Sequence, residues 1–254
     1  MSEPFIRIDN LRKVFRVSGR DLVAVQDVTL EVQEGELVSI VGPSGCGKST
    51  ILSILSGLLE ADGGSVRIGT PASPFTPGRD IGMVFQKALL LKWRTIIDNV
   101  MLPAEILGLP RRATRERARD LLQLVGLGDF AEAYPQQLSG GMQQRAAIAR
   151  ALVHDPKLIL MDEPFGALDA LTREKMNLEL LRIWRESRKT ILFVTHGIQE
   201  AVFLGSQVAV MTAGPARMAD HFRIELPEPR QLDVKTTEAF GAYARRIYGL
   251  LGLS

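Results

Sequence analysis

Hydrophobic and polar positions alternate in three early stretches of the chain, which predicts β-strands over residues 5–9, 22–32 and 65–69. A continuous apolar run at 36–42 predicts a buried strand that leads directly into a glycine-rich loop. Behind that loop, residues 49–59 carry apolar positions at helical spacing up to a break at Gly57. A Pro/Gly-rich turn and a strand at 81–85 follow. The chain therefore begins as an α/β domain.

The pattern changes after Gln86, where helical periodicity replaces almost all strand signal as far as residue 156. It predicts helices over 95–107, 111–127 and 142–153. Strand and helix patterns then alternate again, with strands at 158–162, 190–196 and 207–212, a helix at 170–187 and an amphipathic helix at 234–252. We predict four segments: 1–86, the first part of an α/β core; 87–156, a helical subdomain; 157–220, the second part of the core; and 221–254, a C-terminal helical extension.

Composition and charge narrow the class of protein. With 46% hydrophobic and 24% charged residues, the 254-residue chain has an ordinary globular composition. Its 31 basic and 29 acidic residues balance too closely to indicate a nucleic-acid binder. Cys46 is the single cysteine, no apolar stretch of signal-peptide type begins the chain, and no apolar run is long enough to span a bilayer. We expect a cytosolic protein, and any membrane-spanning part would belong to another chain.

The stretch GPSGCGKST at residues 42–50 matches the phosphate-loop pattern G-x-x-x-x-G-K-[ST]. In such a loop, backbone N–H groups surround phosphates, Lys48 reaches the β- and γ-phosphates, and Ser49 ligates magnesium. A purely structural glycine-rich turn is the weaker interpretation, since a strand precedes the loop and a helix follows it. Cys46 would have a lowered pKa if it is exposed there, beside Lys48 and a helix N-terminus. The predicted phosphate-binding residues are Gly42, Pro43, Ser44, Gly45, Cys46, Gly47, Lys48, Ser49 and Thr50.

Two further stretches point to nucleotide chemistry. Asp162 ends the predicted buried strand LILMD and could hold magnesium through water, although any buried strand ending in aspartate looks similar. Glu163 follows directly and could orient and deprotonate an attacking water, which favours hydrolysis over mere binding. The stretch LSGGMQQR at 138–145 places a serine and two glycines, Ser139 to Gly141, at a helix entrance, where exposed N–H groups bind anions. One chain thus carries two predicted phosphate sites.

The motifs GPSGCGKST, LSGGMQQR, LILMDEP and GALD, with Gln86 and His196, resemble in order and spacing those of the ATP-binding subunits of ABC transporters. The resemblance covers nearly the whole chain. It implies a P-loop NTPase core of α/β class with an antiparallel β subdomain and an inserted α-helical subdomain. It also implies ATP and Mg²⁺ as ligands. In that family the serine-glycine loop contacts ATP held by a second copy, so a homodimer would share each nucleotide.

The resemblance also assigns roles to four single residues. Gln86 would contact magnesium and hinge the helical subdomain, or it is an ordinary polar residue at a strand end. His196 would contact the γ-phosphate, although a lone histidine is more often structural. Asp169 would cross to the other monomer, or it caps a helix. Phe15 would stack on adenine, or it packs in the core.

Residues 85–110 and 194–211 resemble the importer subunits that serve nitrate, sulfonate and taurine, and branches for bicarbonate or thiamine precursors share similar text. The resemblance implies transmembrane permease subunits as partners, a solute-binding protein as an indirect one, and a peripheral location on the cytoplasmic face of the membrane. Trp93 would contact the permease or pack inside the helical subdomain. Lys92, Arg94 and Gly197 differ from the residues usual at these positions in such subunits.

Two other functions compete with a transporter subunit. One is a soluble ABC ATPase acting in repair or translation, which generally has two ATPase units or a long coiled-coil insertion, and these 254 residues show neither. The other is a non-enzymatic ATP sensor, but the predicted general base Glu163 favours hydrolysis over sensing alone.

Overall fold

The computed structural model describes residues 3–253, which form two compact units. The first unit joins the chain up to Pro77 with the chain from Thr190 onward, and the second runs from Gly78 to Lys189. The division into four segments at residues 86, 156 and 220 stays a prediction.

An antiparallel sheet forms the first part of the first unit. It contains β1 (Ile6–Val17), β2 (Arg20–Val32) and β4 (Gly63–Ile68), in the order β2-β1-β4. Strand β1 is longer than the predicted stretch at 5–9 because bulges beyond Ile8 break the two-residue alternation. Ile6 and Ile8, two residues apart, and Leu11, beyond the first bulge, are fully buried. This sheet is the predicted antiparallel β subdomain.

Parallel strands build the rest of the first unit. Strand β3 (Leu37–Val41) pairs with β7 (Thr190–Thr195) on one side and β8 (Gln207–Thr212) on the other, and β9 (Arg217–Arg223) pairs antiparallel with β8. Every residue of β3 and β7 is buried, as expected for a parallel core. Helices α1 (Lys48–Leu55), α6 (Ile198–Leu204) and α7 (Glu238–Leu250) complete this unit. Strand β9 and helix α6 are elements that the pattern analysis did not predict.

The second unit is mainly helical. Its short strands β5 (Ile81–Val84) and β6 (Leu158–Asp162) pair in parallel, and its helices are α2 (Ile96–Ile106), α3 (Arg111–Leu124), α4 (Gly140–Leu152) and α5 (Ala170–Ser187). Helices α2 to α5 confirm the four helices predicted in this part of the chain, and the ends of α2, α3 and α4 are shifted by one to three residues. Most of α4 is buried, so it forms the centre of the unit. No helix between residues 3 and 253 combines the length and the apolar character needed to cross a bilayer.

Candidate functional site

The loop between β3 and α1 has the backbone of a phosphate cradle. Gly45 and Gly47 have φ angles of 75° and 106°, in the left-handed region that favours glycine. A Cβ added at Gly47 would lie 2.8 Å from the Ala24 carbonyl oxygen, and one at Gly42 would lie 2.4 Å from the Met211 carbonyl oxygen. Side chains at these two positions are therefore excluded by neighbouring backbone. Left-handed glycines between ordinary residues turn successive N–H groups toward one point, which is how backbone nests bind anions.

Lys48 closes this cradle from inside. Its side chain is buried, and Nζ donates hydrogen bonds to the carbonyl oxygens of Gly42 at 2.8 Å and Pro43 at 2.9 Å. Gly47, the N-cap of α1, has no side chain, so it places no capping group over the first helical turn. A Cβ at Gly45 would meet nothing within 4 Å, so the mouth of the loop is open. An ammonium group, uncapped N–H groups and open space fit a polyphosphate.

The Cys46 thiol is buried, so the exposure that a lowered pKa would require is absent. Its side chain is buried inside the loop, 3% exposed. Burial raises the pKa of the Cys46 thiol, and this outweighs the opposite effect of Lys48, whose Nζ lies 3.9 Å from Sγ. The condition for a lowered pKa is therefore not met, because desolvation disfavours the thiolate.

Phe15 and His196 lie at the surface of the first unit. Phe15 is half-buried on β1 and does not belong to the hydrophobic core, so its interpretation as a core phenylalanine is wrong. Lys13 Nζ lies 5.8 Å from the centroid of its ring. His196 is exposed directly after β7. The following residue, Gly197, donates its N–H to Thr195 Oγ1 at 2.9 Å, and Thr195 also pairs with Glu200. A threonine hydroxyl thus orders the turn that follows His196.

Carboxylate and amide groups meet at one edge of the second unit. Strands β5 and β6 run in parallel with Val84 opposite Met161, so the segments that follow them, with Gln86 and Glu163, leave the sheet at the same end. Glu163 has a φ of 44°, a left-handed conformation that is costly for a residue with a side chain. Its carbonyl oxygen accepts a hydrogen bond from Gly166 N at 3.0 Å. Glu163 therefore starts a tight turn with its side chain partly accessible.

Gly166 lies between the side chains of Gln86 and Glu163. A Cβ at Gly166 would lie 3.0 Å from Gln86 Nε2 and 3.7 Å from Glu163 Oε2. The glycine therefore leaves room for both groups, a role that the sequence analysis did not assign to it. The only signal in the sequence was its place in the motif GALD.

The second glycine pair lies at the entrance of α4. Ser139 is the N-cap, and its Oγ accepts a hydrogen bond from Met142 N at 3.3 Å. A Cβ at Gly141 would lie 3.0 Å from Thr172 Cγ2, whereas the nearest neighbour of a Cβ at Gly140 would be Leu168 Cδ2 at 3.9 Å. Gly141 thus leaves room for the Thr172 methyl group within the chain. The space at Gly140 is wider, and the missing side chain leaves an open surface beside the helix N-terminus.

Asp169 caps α5, which was the alternative interpretation of this residue. Its carboxylate accepts a hydrogen bond from Thr172 N at 3.0 Å. Hydrogen bonds from Thr172 hold the pKa of the Asp169 carboxyl below its ordinary value. Asp169 remains exposed, so the cap leaves it accessible to other molecules.

An apolar cavity lies in the second unit, and two of the residues in its wall are exposed apolar side chains. The cavity has a volume of about 370 Å³, and its wall includes Leu89, Ile106 and His154. Leu89, Trp93 and Ile106 are 57%, 75% and 77% exposed. The interpretation that Trp93 packs inside the helical subdomain is therefore wrong. Arg94, by contrast, forms an ion pair with Glu105 at 2.7 Å within the unit.

Comparison with known proteins decides the family. The family model described as ABC transporter matches residues 25–166, more than half of the chain. The chain belongs to the ABC transporter family. Among its ATP-binding subunits, the taurine import ATP-binding protein of Rhizobium johnstonii is 45% identical over 221 residues, covering 87% of this chain and 84% of the relative. The bicarbonate transport ATP-binding protein of Synechococcus elongatus is 42% identical over 231 residues, covering 90% and 83%.

Solved structures support the same fold. The chain resembles a bacterial ABC transporter cassette solved as a dimer, with a TM-score of 0.74 and 35% identity over 87% of this chain and all of the cassette. The prediction of a P-loop NTPase fold with an ABC ATPase core is therefore confirmed. As a member of this ABC ATPase family, the chain is an ATP-binding subunit.

Proposed function

We propose that this ABC subunit binds ATP with Mg²⁺, closes onto a second copy of itself, hydrolyses the nucleotide and thereby powers uptake of a small solute through a separate membrane permease. The observation that supports the proposal is that one chain has two glycine-containing loops, each at the start of a helix, whose geometry suits anion binding. The phosphate loop is closed by Lys48, and the entrance of α4 keeps an open surface at Gly140 that internal packing does not require. A twofold dimer would combine one cradle of each type at each nucleotide.

The side chains supply the hydrolytic step. Glu163 would accept a proton from a water molecule as the water oxygen bonds to the γ-phosphorus. The bond from the γ-phosphorus to the bridging oxygen then breaks, leaving ADP and inorganic phosphate. Lys48 would balance charge on the phosphates and His196 would contact the γ-phosphate. Asp162, Gln86 and Ser49 have the oxygen donors that Mg²⁺ prefers.

The remaining assignments concern nucleotide contacts. Phe15 would stack on the adenine, as a partly exposed aromatic ring can. Ser139, Gly140 and Gly141 would meet the nucleotide of the other copy, and Asp169 would reach across the dimer. Loss of the γ-phosphate removes contacts from both sides, so the dimer loosens with ADP.

Trapping the ATP state tests this proposal. Glu163→Gln keeps the shape of the side chain but removes the base, so it should bind ATP, lose hydrolysis and form a stable dimer, measured by light scattering with ATP and with ADP. Ser139→Arg in the same background places a bulky cation in the second cradle and should abolish the dimer. Hydrolysis by Glu163→Gln at the wild-type rate, or a dimer that Ser139→Arg leaves intact, would contradict the proposal.

We further infer that the permease docks on the apolar cavity, whose wall includes the exposed Leu89 and Ile106, and on the exposed Trp93, which follows Leu89 by four residues in the chain. This would place the subunit on the cytoplasmic face of the membrane. A permease encoded by a neighbouring gene should co-purify with the wild-type chain, and Trp93→Ala should weaken that association while the ATPase rate of the isolated subunit stays unchanged. No association with such a permease would favour a soluble ATPase instead.

The taurine and bicarbonate relatives point to small anionic or zwitterionic solutes. We propose nitrate, sulfonate, taurine or a similar compound as the cargo, delivered to the permease by a solute-binding protein. Uptake of each labelled solute by cells with and without this subunit tests the assignment.

A further inference from the structure

The segment after β5, which carries Gln86, is held by side chains from a distant helix. Residues 85–91 have no regular secondary structure. Gln144 Nε2 donates a hydrogen bond to the carbonyl oxygen of Phe85 at 2.8 Å. Arg150 donates to the carbonyl oxygens of Ala88 at 2.6 Å and Leu89 at 2.8 Å. Gln86 is thus bracketed on both sides by hydrogen bonds from α4.

Arg150 occupies a position where burying its charge costs free energy. Its guanidinium is partly buried, and burial lowers its pKa. Within the described residues its hydrogen-bond partners are the two backbone carbonyls, and no carboxylate neutralises it. A planar guanidinium can hold two successive carbonyls at once, whereas a lysine ammonium would act as a single point charge.

The backbone that Arg150 holds is itself strained. Leu89 has a φ of 47°, which a residue with a side chain adopts only when its surroundings impose it. Gln144 is buried, with 3% exposure, so its amide has few alternative partners. Three hydrogen bonds from one helix therefore impose the path of the segment around Gln86.

The same helix begins at the second glycine cradle. Ser139 is the N-cap of α4, Gln144 lies in its middle and Arg150 in its last turn. We propose that Gln144 and Arg150 are positioning residues for Gln86, which fix the Gln86 segment to the helix that presents Ser139 so that both move as one body. The inference rests on the proposed function, because it assumes that Gln86 and Ser139 both take part in ATP hydrolysis.

Kinetics of single variants give the first test. Arg150→Met keeps an unbranched apolar stem and removes the donors, and Gln144→Leu is the second variant in case the first does not fold. Both should lower kcat by about tenfold or more, the usual consequence of misplacing a group at a reacting centre. KM for ATP should stay within about threefold, and Arg150→Lys should recover part of kcat. Rates are divided by the folded fraction from thermal unfolding.

Arg145→Met is the matched control. Arg145 lies on the same helix and donates to a backbone carbonyl, that of Val125 at 2.9 Å, but it does not touch the Gln86 segment. Any loss of stability in this variant should leave kcat per folded molecule unchanged. An equal loss of kcat in Arg145→Met and Arg150→Met would reduce Arg150 to a structural role.

A double-mutant cycle with Gln86→Ala decides whether Arg150 acts through Gln86. If it does, Arg150→Met should change kcat by less than about twofold once Gln86 is alanine. If the two losses multiply, the positioning role is overturned even though the chain is an ATPase. A wild-type chain that releases no phosphate at all would instead overturn the proposed function, so the two failures are distinguishable.

Discussion

Gly140→Ala and Gly141→Ala each add one methyl group, and comparing the two variants distinguishes packing within the chain from contact with another molecule. Gly140 and Gly141 both begin α4, yet a Cβ at Gly140 has its nearest neighbour at 3.9 Å and one at Gly141 has Thr172 Cγ2 at 3.0 Å. Alanine at position 140 therefore fits the isolated chain, whereas alanine at position 141 presses on a methyl group of α5.

The expected stabilities follow from these distances. Replacing glycine by alanine within a helix stabilises it by about 0.5–1 kcal/mol, less in the first turn, so Gly140→Ala should leave the melting temperature unchanged or raise it by about 1–4 °C. Gly141→Ala should be destabilised by about 1–3 kcal/mol, the usual effect of overpacking. Thr172→Ser removes Cγ2 and keeps the hydroxyl, so it should restore most of that loss in the double variant.

The rate of phosphate release by Gly140→Ala tests whether another molecule contacts this surface. If a nucleotide bound to a second copy occupies the open surface at Gly140, the methyl group should lower the rate of phosphate release at saturating ATP by at least about tenfold in a fully folded protein. Thermal unfolding and phosphate release measured on the same sample provide both quantities. A stable Gly140→Ala variant with wild-type hydrolysis would refute the reasoning, because the second cradle would then face only solvent.

Three other measurements test single features. Because burial raises its pKa, Cys46 should react with iodoacetamide at pH 8 at least about tenfold more slowly in the folded chain than in urea, and equal rates would contradict its burial. Burial lowers the pKa of His154 and His221, so the unfolded chain binds more protons and the free energy of unfolding should fall below about pH 6.5, by up to about 1.4 kcal/mol per pH unit for each group. His154→Gln should make this slope shallower in urea titrations at several pH values, and an unchanged slope would exclude a contribution from His154. Gly166→Ala, whose Cβ would lie 3.0 Å from the Gln86 amide, should lower kcat several-fold with little change in melting temperature, and an unaltered kcat would mean that the amide moves away freely.

Much of the candidate site could be predicted because its motifs are local. Glycines at fixed spacing select the left-handed backbone of the phosphate loop, and the buried apolar runs on either side select strand and helix. Ser139 and Asp169 cap their own helices through bonds to residues three positions ahead. Interactions of this range depend on neighbouring residues alone, so the pattern of the sequence contains them. For the same reason the long helices α2 to α5 were found.

The elements and contacts that were missed depend on distant parts of the chain. Strand β9 has a largely exposed face and exists because β8 offers it a paired edge. Cys46 is buried only because the loop folds around it, and this reverses the expected direction of its pKa shift.

The sequence by itself indicated the family, the two glycine-rich loops and the order of most elements, because short motifs and periodic patterns specify these features. Only the tertiary structure decided which residues lie next to the site residues: Gly166 beside Gln86, and Arg150 bonded to Leu89 across a separation of 61 residues. The physical reason is that such contacts form when separate elements pack, and no local pattern specifies which polar atom a buried guanidinium will meet.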